Sequence, residues 1–453
     1  MLLMNSSSEP FDLLVIGGGM AGLSAAARVA QAGGTVAIVE KGESTGGSAA
    51  VAEFLWTAPN LGVLREEIPD GDLALHERLI ERRWEALEWV RDRGVTVGPP
   101  VELLGYGTGN RVDMSALTRG FEQSVREAGG CEVLTQADPI SLLTEDGRVT
   151  GAEIALADGT HRAISARSTL LATGGFGGNH EMRRKYLHPN ALEIPLRANP
   201  HSAGRGIELG LAVGAAFGAD DAGFYGHLMA AGVPMPPMAK IAMYSFFHSE
   251  HGVLVNREGK RYVDETRGDQ LSTLATIRQT GGRALLICDE RVHQEWMLKA
   301  YVPGLEAPDK FNLAYRAGAR CATAADLDEF ASLPSEWGYP GATVRDTLIE
   351  FNAQCASGNP SPSRRRDPNG LNDPPYYVIE VTPALTFTFG GLLIDRDARV
   401  LGGDGEPIPG RLAAGADAGG LQVRGYAGGL APAMVFGMCA ADTALAEARA
   451  LRS

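Results

Sequence analysis

Residues 11–22 constrain this chain more than any other stretch. They read FDLLVIG, then Gly17-Gly18-Gly19-Met20-Ala21-Gly22. The short branched apolar run predicts a buried parallel strand. The glycine turn opens an alanine-dense helix over Met20–Ala32 that Gly33-Gly34 stops. Strand, spaced glycines and helix in this order predict a Rossmann-type βαβ unit. Gly17 permits the tight turn, Gly19 lets the backbone approach a pyrophosphate, and Gly22 lets the helix lie close on the sheet. At Met20 and Ala21 the helix N-terminus offers unpaired N–H groups and a partial positive charge for phosphate. A second apolar strand, Thr35–Val39, ends in Glu40, where an acid can accept hydrogen bonds from both ribose hydroxyls. This region is a dinucleotide cradle.

Length and charge narrow the rest. At 453 residues the chain exceeds what one core usually organises, so two domains are expected. A net charge of −14 argues against nucleic acid and anionic membranes as partners. Cys131, Cys288, Cys321, Cys355 and Cys439 are scattered, with no CxxC pair. They support neither a zinc knuckle, a thioredoxin-like motif nor c-type haem attachment, and no metal site is read elsewhere. A reduced, cytoplasmic setting is expected. Residues 1–10 lack the pattern of a signal peptide, and no uninterrupted apolar run is long enough to span a bilayer.

The residues after Glu40 decide the nucleotide. They run Lys41-Gly42-Glu43-Ser44-Thr45-Gly46-Gly47-Ser48, a loop that can offer further backbone N–H groups to a diphosphate. This loop resembles the glycine-serine segment of the fumarate reductase and succinate dehydrogenase flavoprotein superfamily, which binds FAD. Three more stretches resemble the same superfamily: Ala172-Thr173-Gly174-Gly175, the block GVLVNREGKRYVDE over 252–265, and VTPALTFTFGGL over 381–392. The similarity extends from Phe11 to Ala446.

The resemblance implies an α/β fold: a Rossmann-like FAD-binding domain, residues 1–240 and 387–453, with an inserted α+β capping domain, 241–386. It implies FAD contacts at Gly17, Gly19, Met20, Ala21, Gly22, Glu40, Lys41, Thr45, Gly46, Gly47, Ser48, Ala137, Thr173 and Gly174. Asp417 would hold the ribityl chain, and Leu430 and Ala431 would open a helix aimed at the flavin. No histidine occurs over 49–58, so FAD is expected to be non-covalent. A proline-rich stretch, 232–237, and a polar one, 357–375, read as exposed loops, and Arg364-Arg365-Arg366 as a solvated charge run.

FAD carries the redox step, and a second nucleotide fingerprint is not evident, so an external electron carrier or oxygen is expected. The substrate is a small molecule. Where fumarate reductases place a histidine in the TFTFGG run, this chain has Phe387, followed by Thr388. Arg267 lies within one residue of the superfamily's proton-donating arginine, and Arg424 falls near a second substrate arginine. His227, in GFYGHLMA, resembles a histidine that precedes the cap. Tyr426-Ala427-Gly428-Gly429 resembles instead the 3-ketosteroid dehydrogenases and tricarballylate dehydrogenase, which act beside a carbonyl. There Tyr426, with the amide of Gly429 or Leu430, would polarise the carbonyl as an oxyanion-hole-like pair. A base must then take a proton, and Tyr106, Tyr244, His227 and His248 are candidates. Phe387 and Phe389 would line an apolar pocket or belong to the core. The expected activity is desaturation of a C–C bond next to a carbonyl in a cyclic ketone or related acid. Reduction of an unsaturated carboxylate is the alternative, and a non-enzymatic flavin-binding protein the reading of another class.

Overall fold

The computed structural model describes residues 9–301 and 306–453. They form two compact units. The first comprises residues up to Met182, Ala198–Gly223 and Phe387–Ser453; the second comprises Arg183–Arg197 and Phe224–Thr386.

The first unit is built on an eight-stranded sheet. Its order runs Arg399–Leu401, Pro407–Ala413, His161–Leu171, Phe11–Ile16, Val36–Val39, Glu132–Leu134. From Pro407–Ala413 to Glu132–Leu134 all neighbours are parallel. Parallel strands are buried on both faces, which is why Leu13–Ile16 and Val36–Val39 read as continuous apolar runs. Asp138–Glu145 and Arg148–Ala155 extend the sheet as antiparallel strands. The turn between them is made by Asp146 and Gly147, both at positive φ, as a two-residue hairpin requires.

Two helices cover the cradle side of this sheet. Met20–Gln31 buries nine of its residues. Leu430–Arg452 packs against it. Gly437 permits this approach: a Cβ there would meet Ser24 Oγ at 2.3 Å and Ala21 O at 2.5 Å. By length and composition Leu430–Arg452 could cross a membrane, unlike any stretch the sequence reading singled out, but 67% of its apolar window is buried inside the protein. It is the core helix of this unit.

The second unit has a five-stranded sheet, ordered Phe224–Ala230, Tyr376–Thr388, Ala284–Cys288, Val253–Val255, with Cys321–Ala324 also on Tyr376–Thr388. It starts earlier than the expected residue 241, because Phe224–Ala230 is a strand of this sheet. Its core gathers Val253–Val255, Leu285–Ile287, Phe351 and Val378.

The arginine triplet is not a solvated run. Arg365 and Arg366 are exposed, but Arg364 is buried. Its guanidinium donates to Asp367 O (2.7 Å) and Gly252 O (2.8 Å) and lies 3.4 Å from Glu265. Glu265 also receives Arg261 at 2.6 Å. Burial of a guanidinium requires this full set of acceptors, which 357–375 and the 252–265 block supply only when folded together.

Candidate functional site

In the first unit the glycines are placed as close packing demands. A Cβ on Gly17 (φ +109°) would sit 2.2 Å from Ala172 O, and one on Gly22 would sit 1.9 Å from Gly17 O. At Gly19 a Cβ would meet nothing within 4 Å. The helix beginning at Met20 has no acid in its first turn, so its amides face this open space without a competing charge. Gly46 N donates to Gly18 O (2.8 Å), joining the second loop to the first. Thr45 Oγ1 donates to Glu122 (2.7 Å), and Ser48 Oγ accepts from Asn199 N (3.4 Å).

Glu40 accepts from Gly18 N (2.8 Å) and Gly42 N (2.7 Å), one bond per oxygen. A carboxylate has about four acceptor positions, so each oxygen keeps capacity for a ribose hydroxyl. Beside it lies a cavity of about 660 Å³ lined by Glu40, Lys41, Thr45, Gly47, Ala137 and His201, among others. Lys41 pairs with Asp138 at 2.9 Å. Open space at Gly19 and a cavity at the ribose acid fit an adenine dinucleotide.

Asp417 has a different job from the expected one. It is fully buried and accepts from Thr173 N (2.5 Å), Thr173 Oγ1 (2.9 Å) and Gly175 N (2.8 Å). Burial raises its pKa. Both oxygens pin the Thr173-Gly174-Gly175 turn, so the carboxylate does not face a ribityl chain. The short helical turn Gly415–Asp417 directs the side chain inward.

An aromatic set surrounds Tyr426. Trp56 stacks on its ring (centroids 4.7 Å, 14°), and Phe387 lies 6.2 Å away. Tyr106 meets Trp56 edge-on at 5.3 Å and donates its hydroxyl to Tyr426 O (2.6 Å). Through that bond Tyr106, one of the four candidate bases, braces the Tyr426 backbone. Thr57 Oγ1 donates to Ala427 O (2.7 Å), and Gln422 Oε1 accepts from Ala427 N (3.0 Å). Gly428 (φ +114°) admits no side chain, since a Cβ would lie 2.2 Å from Trp56 O. A Cβ on Gly429 would fall 3.7 Å from the Tyr426 hydroxyl and 3.2 Å from Phe387. Hydroxyl and helix start are thus neighbours. Gly429 caps Leu430–Arg452, which also has no acid in its first turn.

Two expected substrate residues are elsewhere. Thr388 is buried, and its Oγ1 accepts from Phe176 N (3.3 Å). It alternates with the half-buried Phe387 along the strand, so the two point to opposite faces. Arg424 is exposed and paired with Asp70 at 2.5 Å, because its positive φ (55°) turns the chain there. Phe389 is core.

The second unit holds His227, buried on the Phe224–Ala230 strand. Its Nδ1 lies 2.6 Å from Asp269 Oδ2 and its Nε2 2.9 Å from Tyr225 Oη. Burial, with Arg197 and Lys310 nearby, holds its pKa well below the usual value. Burial lifts Asp269 to about 7. Lys310, lowered to about 8 by burial, donates to the carbonyls of Ala242, Met243 and Ser245. Arg197 donates to Thr386 Oγ1 (2.8 Å) and Ser245 Oγ (3.2 Å). His248 is buried, and among the described residues neither of its ring nitrogens has a hydrogen-bond partner. Arg267 and Tyr244 are half-buried. Trp56, Tyr225 and Asp269 escaped the sequence reading. Tyr225 was legible as the same-face strand neighbour of His227, two residues away.

A model of the FAD binding domain family matches residues 102–429, and one of FAD-dependent oxidoreductases matches 12–175. The chain belongs to the fumarate reductase and succinate dehydrogenase flavoprotein superfamily. It is an FAD-dependent oxidoreductase. It is similar to the NADH:acrylate oxidoreductase of Vibrio harveyi (28% identity), covering 81% of this chain and 36% of that protein. It is also similar to the fumarate reductase (cytochrome) of Shewanella frigidimarina (26%), covering 98% of this chain and 78% of that protein. The fold matches 3-ketosteroid delta1-dehydrogenase of Sterolibacterium denitrificans with a TM-score of 0.78 at 20% identity, over 97% of this chain and all of that one.

Proposed function

We propose that this enzyme desaturates a C–C bond next to a carbonyl, in an apolar, cyclic ketone or related acid. The observation that carries this reading is the Tyr426 hydroxyl beside Gly429, with its ring clamped by Trp56 and Phe387. The phenol O–H and a free amide at the start of the 430–452 helix are two donors for one carbonyl oxygen. Holding that oxygen withdraws electron density from the neighbouring carbon and acidifies its C–H. Bound FAD supplies the hydride-accepting chemistry. The walls of this set are Trp56, Tyr106 and Phe387, which suit an uncharged ring better than a dicarboxylate. Met20, Ala21, Gly46, Gly47 and the Glu40 carboxylate would hold the adenosine diphosphate half of the cofactor.

A second reading is reduction of an unsaturated carboxylate. The names of the acrylate and fumarate relatives favour it. So does the buried Arg197 at Thr386, a cation within the second unit. In both readings an external carrier exchanges electrons with the flavin. Five unpaired thiols suit a reducing compartment such as the cytoplasm.

Anaerobic screening separates the two. Ketosteroids and cyclohexanones should bleach the oxidised flavin; acrylate or fumarate re-oxidising the reduced flavin would favour the second reading instead. Tyr426→Phe should slow flavin reduction by a ketone by about 10²–10³-fold, the loss typical of one oxyanion donor. Unchanged reduction would remove Tyr426 from the chemistry.

A further inference from the structure

Three arginines of the second unit converge on one buried carboxylate, and they bring more charge than it can neutralise. Glu380 lies on the Tyr376–Thr388 strand, directly opposite Leu285. Its own N–H donates to Arg320 O (2.9 Å), which holds Arg320 beside it at the start of the Cys321–Ala324 strand. Arg283 precedes Ala284–Cys288 and shares a face with Leu285, two residues on. Arg257 follows Val253–Val255, whose Val255 also pairs with Leu285. Strand register thus sets the four residues near one another across a single sheet.

The Glu380 side chain is 1% exposed, whereas those of Arg257, Arg283 and Arg320 are 33%, 34% and 43% exposed. Its Oε2 accepts from Arg320 (3.2 Å) and Arg283 (3.5 Å). Its Oε1 accepts from Tyr339 Oη (3.1 Å), with Arg257 3.7 Å away. Burial and the Glu380 carboxylate push the Tyr339 phenol above its usual pKa, so it remains a donor. None of the three arginines pairs with another carboxylate among the described residues. The neighbouring Glu258 accepts instead from Thr280 Oγ1 (3.2 Å). Arg257 Nε is buried without a hydrogen-bond partner among the described residues. One arginine and Tyr339 would satisfy a buried carboxylate. Three arginines leave two positive charges in excess, in a chain whose net charge is −14. Most of their N–H groups find no acceptor among the described residues, on side chains that reach solvent.

We propose that Arg257, Arg283 and Arg320 form a binding site for a phosphate group, carried as the free anion or at the end of a larger molecule. Guanidinium forks match the oxygens of such an anion. A phosphate monoester carries about two negative charges near pH 7, which balances the excess. Its charge is compact, as the cluster is: all three cations lie within 3.7 Å of the same carboxylate. A dicarboxylate splits the same charge between two ends. Glu380 acts as a template, drawing the side chains together before the ligand arrives and so lowering the ordering cost of binding. The site lies within the second unit and does not depend on the desaturation reading.

The test titrates the full-length, FAD-loaded enzyme calorimetrically in phosphate-free buffer with inorganic phosphate, AMP and succinate. Bound FAD keeps the probes out of the nucleotide cradle. Saturable binding of phosphate or AMP is expected, weakening as salt is added, with succinate weaker than phosphate at equal ionic strength. Equal affinities for phosphate and AMP assign the free anion; tighter AMP binding assigns a phosphate carried on a larger molecule. Arg320→Gln, at the most exposed of the three, should weaken phosphate binding by about tenfold or more, the loss of one charge-assisted hydrogen bond. Arg320→Lys keeps the charge, loses the fork and should fall between. Arg365→Gln removes the same charge from another exposed position of the unit and should bind as wild type does. Circular dichroism checks that each variant is folded. No saturable binding of phosphate or AMP, equal losses in Arg320→Gln and Arg365→Gln, or succinate binding as tightly as phosphate overturns the proposal.

Discussion

Replacing Gly19 by alanine should weaken cofactor binding without harming the fold. The position has φ −82° and ψ −168°, an extended conformation that alanine adopts freely. An added Cβ meets no protein atom within 4 Å. The residue caps the Met20–Gln31 helix, where alanine is worse than glycine by up to about 1 kcal/mol. Lower unfolded-state entropy returns about 0.4–1 kcal/mol, so the net change in stability is close to zero. The space the methyl group enters is the space a pyrophosphate would need. Losing one or two charge-assisted hydrogen bonds, at about 1.5–3 kcal/mol each, weakens FAD binding by roughly 10- to 10⁴-fold. Titration of apoprotein with FAD, read by quenching of flavin fluorescence, gives the affinity. Thermal unfolding of the apoprotein gives the stability, with a shift of no more than about 2 °C expected. Gly22→Ala is the contrasting variant, since its Cβ would overlap Gly17 O and the apoprotein should unfold early. Wild-type FAD affinity in Gly19→Ala, or a loss of stability matching Gly22→Ala, would refute the reasoning.

Two further outcomes are expected. Arg364→Ala should destabilise the protein by about 3–5 kcal/mol, as removing one partner of a buried ion pair does, while exposed Arg365→Ala should leave urea unfolding unchanged. His248 is held well below its usual pKa by burial, with Lys310, His251 and His293 adding repulsion. It stays neutral when folded but takes a proton when unfolded below about pH 6.5. Stability is therefore intact above that pH and falls on acidification, by about 1.4 kcal/mol per pH unit from this residue. His248→Phe should lose less stability than wild type between pH 7 and 5.5 in urea unfolding; parallel losses would exclude His248 as a cause.

The cofactor cradle was legible because its causes are local. A strand, three glycines and a helix start lie within 12 residues; Gly22 answers a contact inside that stretch with Gly17 O, and Gly19 leaves open space at the helix start, while the contact Gly17 makes with Ala172 O is distant in sequence. The Lys41–Ser48 loop follows directly. Arg364 was misread because charge is visible in sequence and its acceptors are not: Gly252 and Glu265 lie about a hundred positions earlier. Asp417 was misread because a short turn sets where its side chain points, and residue type does not.

What the amino-acid order determined by itself was the glycine turn at 17–22, the Glu40 acid, and hence a dinucleotide enzyme. Tertiary structure alone decided which groups meet away from the cradle. Trp56 stacks on Tyr426 across 370 residues of sequence, and Asp269 reaches His227 across 42. Backbone conformation is set by neighbours in the chain, so sequence reports it. A hydrogen bond between distant side chains exists only once two strands and a helix have packed, so only the folded chain reveals it.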